Sequence, residues 1–290
     1  MTLPSSGALS LLDIQGEFGG SNPIGINEYY GVATGVPSSG TIAVSNFYGT
    51  SAVITITYSS NTGTAQNIGT LAQNAGWDGS SDVNIAVVVN SNVYVYSNST
   101  GSYTMQFPAV SSGSTVTLTN NGYIYGRGAD ADSGCIQIPS SNPNGEGNQG
   151  GNAIYAPSNA RLNITNNGTI AGGGGSGGAG WQCWGTGGGG GGGAPYGAGG
   201  IQTCSDAGGQ GGNGSNATLT TGGAGGAGSA PYNDGGAGGN PGYAGSVGYT
   251  NYGCGGRQAQ TVAGGAAGNY IVGNANVTWS TNGTRLGGSS

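Results

Sequence analysis

Apolar and polar residues alternate along SAVITITYSS (51–60), a run rich in β-branched side chains, which is the pattern of a half-buried strand. DVNIAVVVNSNVYVYSNS (82–99) reads as two strands around Asn90–Asn92, and GSYTMQFPAV (101–110) as another. Between them, NIGTLAQNAGWDG sets Ile68, Leu71, Ala72 and Ala75 at i, i+3, i+4 and i+7, one face of a short helix. Gly76 suits the position after its last turn, and Trp77 follows as a core anchor. Residues 51–118 therefore read as a small β domain with one short helix.

Three segments then repeat one pattern. STVTLTNNGYIYGRG (114–128), ARLNITNNGTIAGGG (160–174) and NANVTWSTNGTRLGG (274–288) each give a strand, Asn-Gly, a short apolar strand and glycine. Asn-Gly tolerates positive φ at two successive positions, so the pattern predicts β-hairpins over 119–170 and a further strand–turn unit at 271–290. Units that each bury little alone are expected to stack, within one chain or across chains.

After Ile170 the chain runs into glycine. GGQGGNGSN (208–216), GGAGGAGSA (222–230) and GGAGGNPGYAGSVGY (235–249) keep a period of three, with the side chain at the third position: Gln210, Asn213, Asn216; Ala224, Ala227, Ala230; Ala237, Asn240, Tyr243. A left-handed helix of three residues per turn puts these on one edge and has no internal hydrogen bonds, so its backbone must find partners laterally. Glycine on the other two edges permits that approach. Residues 171–270 are thus expected to form a bundle of polyglycine-II-like helices. A flexible Gly/Ser linker would lack the register; collagen needs one Gly per triplet and abundant Pro, and the chain has only 10 prolines.

Composition narrows the function. Of 290 residues, 69 are Gly and only 5% are charged; there is no His, the four basic residues are all Arg, and the net charge is -6. So little positive charge disfavours nucleic acid or an anionic membrane as partner, and no stretch approaches a membrane span. The start has no basic region, so no signal peptide is expected. With neither His nor Lys, nucleophile–base catalysis reduces to carboxylates. Asp130 and Asp132, and Asp78 and Asp82, read more simply as solvated turns, so neither an enzyme nor a cofactor is expected. Cys135, Cys183, Cys204 and Cys254 show no paired metal-ligand spacing. They read as free thiols, and three disulfide connectivities remain open on paper.

The first fifty residues hold an internal echo: IGINEYYG (24–31) matches IAVSNFYG (42–49), pairing Tyr29 with Phe47 and Tyr30 with Tyr48. Two aromatic clips suit either a docking segment or a small local hairpin cluster. LSLLDIQGEFGGSNPIGINEYYG…GTIAVSNFYG resembles a module near the N-termini of tail and tail-fibre proteins of tailed bacteriophages. AGWDG, VTLTNNGYIYGRG and NNGTIAGGGG resemble tail-fibre and tail-tip proteins, and the glycine tracts are similar to the glycine-rich domain of phage fibre-tip adhesins.

The resemblance implies a virion tail component assembled in the host cytoplasm and, by analogy with such fibres, a homotrimer. Residues 1–50 would attach it to other tail or baseplate proteins through Tyr29, Tyr30, Phe47 and Tyr48. The interruptions of the glycine tracts would be turns carrying receptor-binding residues for a carbohydrate or outer-membrane protein: Trp181, Trp184, Tyr196, Tyr232, Asp234, Tyr249 and Tyr252. Aromatics flanked by Gly, Ser and Asn give large contact area at low entropic cost. The bland alternative is that the Trp pair plugs the bundle end. At the level of function, the alternatives are a purely structural tail or baseplate component and, further off, a polysaccharide depolymerase.

Overall fold

The computed structural model describes residues 2–33, 35–132, 145–180, 187–201, 211–228, 234–249 and 261–290. Its alternating strands wind into successive coils. β1 (Val53–Tyr58) and β2 (Gln66–Asn67) belong to the first, whose remaining side is a bridge from Thr62 to Val95. β3 (Asn84–Val89), β4 (Tyr94–Tyr96) and β5 (Met105–Gln106) make the second. β6 (Thr115–Asn120), β7 (Tyr123–Tyr125) and β8 (Ile154–Tyr155) make the third. The fourth begins with β9 (Leu162–Asn166) and β10 (Thr169–Ala171). After the short pair β11 (Gly248–Tyr249) and β12 (Thr261–Val262), β13 (Asn269–Val272) completes it. β14 (Val277–Thr281), β15 (Thr284–Leu286) and β16 (Gly288–Ser289) form the last.

Each strand lies in parallel register on its counterpart in the next coil, giving sheets β1-β3-β6-β9-β14, β4-β7-β10-β15 and β2-β5-β8-β13-β16. The result is a three-sided β-solenoid whose mainly β character follows the alternating pattern. Ile54, Ile85, Val116, Leu162 and Val277 stack in one inward row; Ile56, Val87, Leu118, Ile164 and Trp279 stack in the next. In the middle coils these side chains are fully buried, each worth about 1.5–3 kcal/mol against exposure.

A solenoid coil contacts only its neighbours, so the two ends are where burial fails. At the start, Ile54 and Ile56 are only half-buried and Val53 is exposed. The short helix α2 (Ile68–Asn74) packs Ile68 and Ala72 into the core there; Asn67 caps it by accepting from Thr70 N at 3.0 Å, and Trp77 is buried behind it. At the other end, Arg285 occupies the inward position that Ile170 fills one coil earlier. Its guanidinium lies 4.7 Å from the Trp279 ring and 5.5 Å from that of Tyr270, a charged lid over an apolar stack.

The expected hairpins are corrected. β6 and β7 belong to different sheets and do not pair with each other; nor do β9 and β10, or β14 and β15. Asn-Gly turns a corner between sheets. Neither Gly122 nor Gly168 has positive φ, and among the three corner glycines only Gly283 does, at 47°. Space is the reason for glycine: a Cβ on Gly122 would strike the carbonyls of Val93 and Asn90, and one on Gly168 the carbonyl of Gly122. The expected stacking of these units does occur along one chain.

Residues 2–50 form their own small core. Helix α1 (Leu11–Phe18) is capped by Ser10 and Asp13. The echoed segments become matching 3₁₀ turns, Ile26–Tyr29 and Val44–Phe47; the Glu28 side chain holds Gly25 N at 2.9 Å and Asn46 holds Ala43 N at 2.8 Å. Phe18, Tyr29 and Phe47 meet with ring centroids 6.0–6.2 Å apart around buried Ile14. Leu3 N bonds to Thr50 O at 2.9 Å and Ala52 N to Glu17 Oε1 at 2.8 Å, tying this core to the first coil.

Candidate functional site

Both long glycine-rich stretches leave the solenoid at the same side, residues 126–153 between β7 and β8 and residues 172–268 between β10 and β13. They run as extended tracts bonded backbone to backbone. Gly174, Gly177 and Gly180 donate to the carbonyls of Ala194, Gly191 and Gly188, so neighbouring tracts exchange a bond every third residue and run in opposite directions. The same step relates Gly212 and Ser215 to Ala227 and Ala224, and Gly235 and Gly238 to Gly226 and Gly223. Tracts therefore lead alternately away from the solenoid and back.

Two tracts are enclosed. Residues 187–194 bond to 171–180, 196–201, 211–217, 221–228 and 234–240 and to Ala129, so partners lie all round. This is why positions 188–193 are all glycine. A Cβ at Gly188, Gly189, Gly190, Gly191, Gly192 or Gly193 would strike the carbonyl of Gly226, Gly200, Gly177, Gly223, Gly197 or Gly174 in turn. Residues 171–180 are enclosed likewise and almost wholly buried. On the outer tracts the third-position residues Asn213, Asn216, Ala224, Ala227, Ala237, Asn240 and Tyr243 are exposed. Two of them cap a neighbour: Gly199 N donates to Asn216 Oδ1 at 2.9 Å and Gly222 N to Asn240 Oδ1 at 3.0 Å. These lateral bonds run between tracts of one chain.

The near end of the bundle is clamped to the solenoid. Arg127 donates to Pro195 O at 2.6 Å and Gly128 O at 3.1 Å, and its other nitrogen pairs with Asp130 at 3.1 Å. Asp130 also accepts from Ala198 N at 2.7 Å. Tyr196 sits here, its ring 5.2 Å from that of Tyr96. Local sequence carries no signal for this Arg127 clamp, which joins residues 68 positions apart along the chain.

The far end gathers the tract termini at Gly180, Gly187, Ile201, Gly211, Gly228, Asp234, Tyr249 and Thr261. Asp234 and Tyr249 meet there: Tyr249 N donates to Asp234 O at 3.0 Å, and Gly228 N to Asp234 Oδ1 at 2.8 Å. Tyr249 is 55% exposed, with Ile201 and Val247 exposed on the same end. Tyr196 is not among them. Trp181, Trp184, Tyr232, Tyr252 and all four cysteines lie outside the described residues. Of the N-terminal candidates, Tyr29 and Phe47 are buried; Tyr30 and Tyr48 are half-buried, with hydroxyls donating to Gly40 O and Gly7 O. Among the described residues no helix is long and apolar enough to cross a membrane, and no acidic or sulfur cluster could hold a metal.

The model of the phage tail fibre adhesin Gp38 family matches residues 52–290, the whole solenoid with its glycine insertion. The chain belongs to that family. A tail-fibre adhesin is a component of the virion tail that acts in host adsorption. The fold is similar to a chain in the crystal structure of the gp37–gp38 adhesin tip complex of the bacteriophage S16 long tail fiber, with a TM-score of 0.56, 28% identity, and 86% of this chain and 87% of that chain covered. A search of curated protein sequences returned no match.

Proposed function

We propose that this Gp38-family chain is the receptor-binding tip of a tail fibre, attached at its N-terminal end and touching the host with the far end of the glycine bundle. The observation that carries this is directional. Tracts alternate so that their far termini converge on one face, and chain connectivity assigns residues 181–186, 202–210, 229–233 and 250–260 to the links between those termini. Trp181, Trp184, Tyr232 and Tyr252 belong to these links and Asp234 and Tyr249 flank them, so they serve as contacts. Tyr196, at the opposite end, serves as an anchor of the bundle on the solenoid.

At the attachment end, Leu12 on α1 is 73% exposed, and the half-covered Ile54 and Ile56 lie in the first coil. Exposed apolar residues of this kind suit a fibre protein as partner, and the similar structure is itself a gp37–gp38 complex. The tracts bond to one another within one chain, so receptor contact is available to one chain. Catalysis plays no part in this reading. Replacing residues 250–260 by a Gly-Ser linker should abolish adsorption of the purified protein to host cells while leaving its melting transition in place; undiminished adsorption would remove the far end from the function.

A further inference from the structure

We infer that Asn282 is a site of spontaneous covalent modification, cyclisation to succinimide followed by conversion to aspartate and isoaspartate, from which the two equivalent corners above it are protected. In this reaction the backbone nitrogen of Gly283 attacks Cγ of Asn282. The amide nitrogen leaves as ammonia, and water then opens the five-membered ring at either carbonyl. The nucleophile must be free to swing towards Cγ, so a following N–H held in a hydrogen bond, or a carboxamide held by partners, blocks it.

The three stacked Asn-Gly corners differ in this respect. Gly122 N donates to Asn120 Oδ1 at 3.2 Å and Gly168 N to Asn120 O at 3.0 Å. Asn121 and Asn167 also hold each other: Asn167 Nδ2 donates to Asn121 Oδ1 at 2.9 Å, and Thr281 Oγ1 to Asn167 Oδ1 at 3.3 Å. In the last coil, neither the Asn282 carboxamide nor Gly283 N has a hydrogen-bond partner among the described residues, and both residues are exposed. Among the described residues β14 and β15 are the edge strands of their sheets, so no neighbouring strand there supplies one.

The change has a structural consequence. Asn166 Nδ2, otherwise buried, donates to the main-chain oxygen of Asn282 at 2.9 Å. The isoaspartyl route carries the backbone through Cγ, adds a methylene at this point and displaces that acceptor, loosening the last coil.

The test uses the intact protein aged at mildly alkaline pH in heavy-oxygen water, digested and mapped by mass spectrometry, so that label marks only conversion during ageing. Asn282 should convert at least about tenfold faster than Asn121 or Asn167, whose reaction waits on local opening. An unfolded peptide for each corner provides the unprotected rate. Equal conversion at the three corners in the folded protein, or protection of Asn282 to the level of the other two relative to its peptide, would overturn the inference.

Discussion

Asn120 and Asn166, forty-six positions apart, stack in consecutive coils with Asn120 Nδ2 donating to Asn166 Oδ1 at 2.8 Å, both buried from solvent. Asn166 Nδ2 passes the chain on to Asn282 O. A polar ladder inside the solenoid thus fixes the corner at which the last three described coils turn from the first sheet to the second, where the first two coils carry Tyr58 and Val89. Buried donors and acceptors left without partners cost more than the bonds themselves contribute.

Asn166→Ala should therefore destabilise by about 1–3 kcal/mol, and Asn120→Ala by a similar amount. Because the two share one bond, the double variant should lose less than the sum. Chemical denaturation of the four proteins in a double-mutant cycle measures the coupling; strict additivity would contradict the ladder.

The glycine bundle makes a sharp positional contrast between adjacent residues. A Cβ at Gly226 falls on the backbone of Gly212, whereas the Ala227 side chain already points to solvent. Gly226→Ala should cost about 1–3 kcal/mol, the usual penalty of overpacking, while Ala227→Ser should stay within about 0.5 kcal/mol. Thermal melts of the two variants check this, and equal melting temperatures would mean the tracts do not pack as described.

The N-terminal aromatics divide by burial. Phe47→Ala empties a fully buried site and should cost the small N-terminal core about 3–5 kcal/mol, which limited proteolysis of residues 2–50 would register. Leu12→Glu should leave that core intact and still prevent incorporation into phage tails. Loss of incorporation only when the core unfolds would place attachment elsewhere.

Alkaline pH probes the solenoid. Burial pushes the Tyr58 phenol up to about 12, and burial, with Tyr94 and Tyr123 beside it, raises that of Tyr125 further. A folded pKa above the unfolded value of about 10 means that the stabilisation is complete below pH 10 and is lost as pH rises through 12. Spectrophotometric titration should show these two tyrosines ionising after the others, together with unfolding. Early ionisation of all tyrosines would contradict their burial.

The strands, the helix at Ile68 and the stacking of the Asn-Gly units were legible because alternation and period report which face is buried. The hairpins were not: Asn-Gly serves a tight reversal and a sheet corner equally, and only the long-range pairing of β6 with β9, across the intervening residues 121–161, distinguishes them. The third-position edge of residues 211–243 was readable from its period, whereas the enclosure of 187–193 was not, since uninterrupted glycine carries no register. For the site, the pairing of Asp234 with Tyr249 at the far end follows from tract direction, which local sequence does not encode. The same direction moves Tyr196 to the solenoid.

The most direct measurement compares aromatic residues at the two ends of the bundle. Tyr249 and Tyr243 share one outer tract and both are exposed, but Tyr249 lies at its far end and Tyr243 near the solenoid. Adsorption of purified Tyr249→Ala and Tyr243→Ala proteins to host cells should show a loss for the first, of the size an interface anchor carries, about 2 kcal/mol, and none for the second, with unchanged melting for both. Normal adsorption by Tyr249→Ala, together with loss by Tyr243→Ala, would contradict receptor contact through the far end.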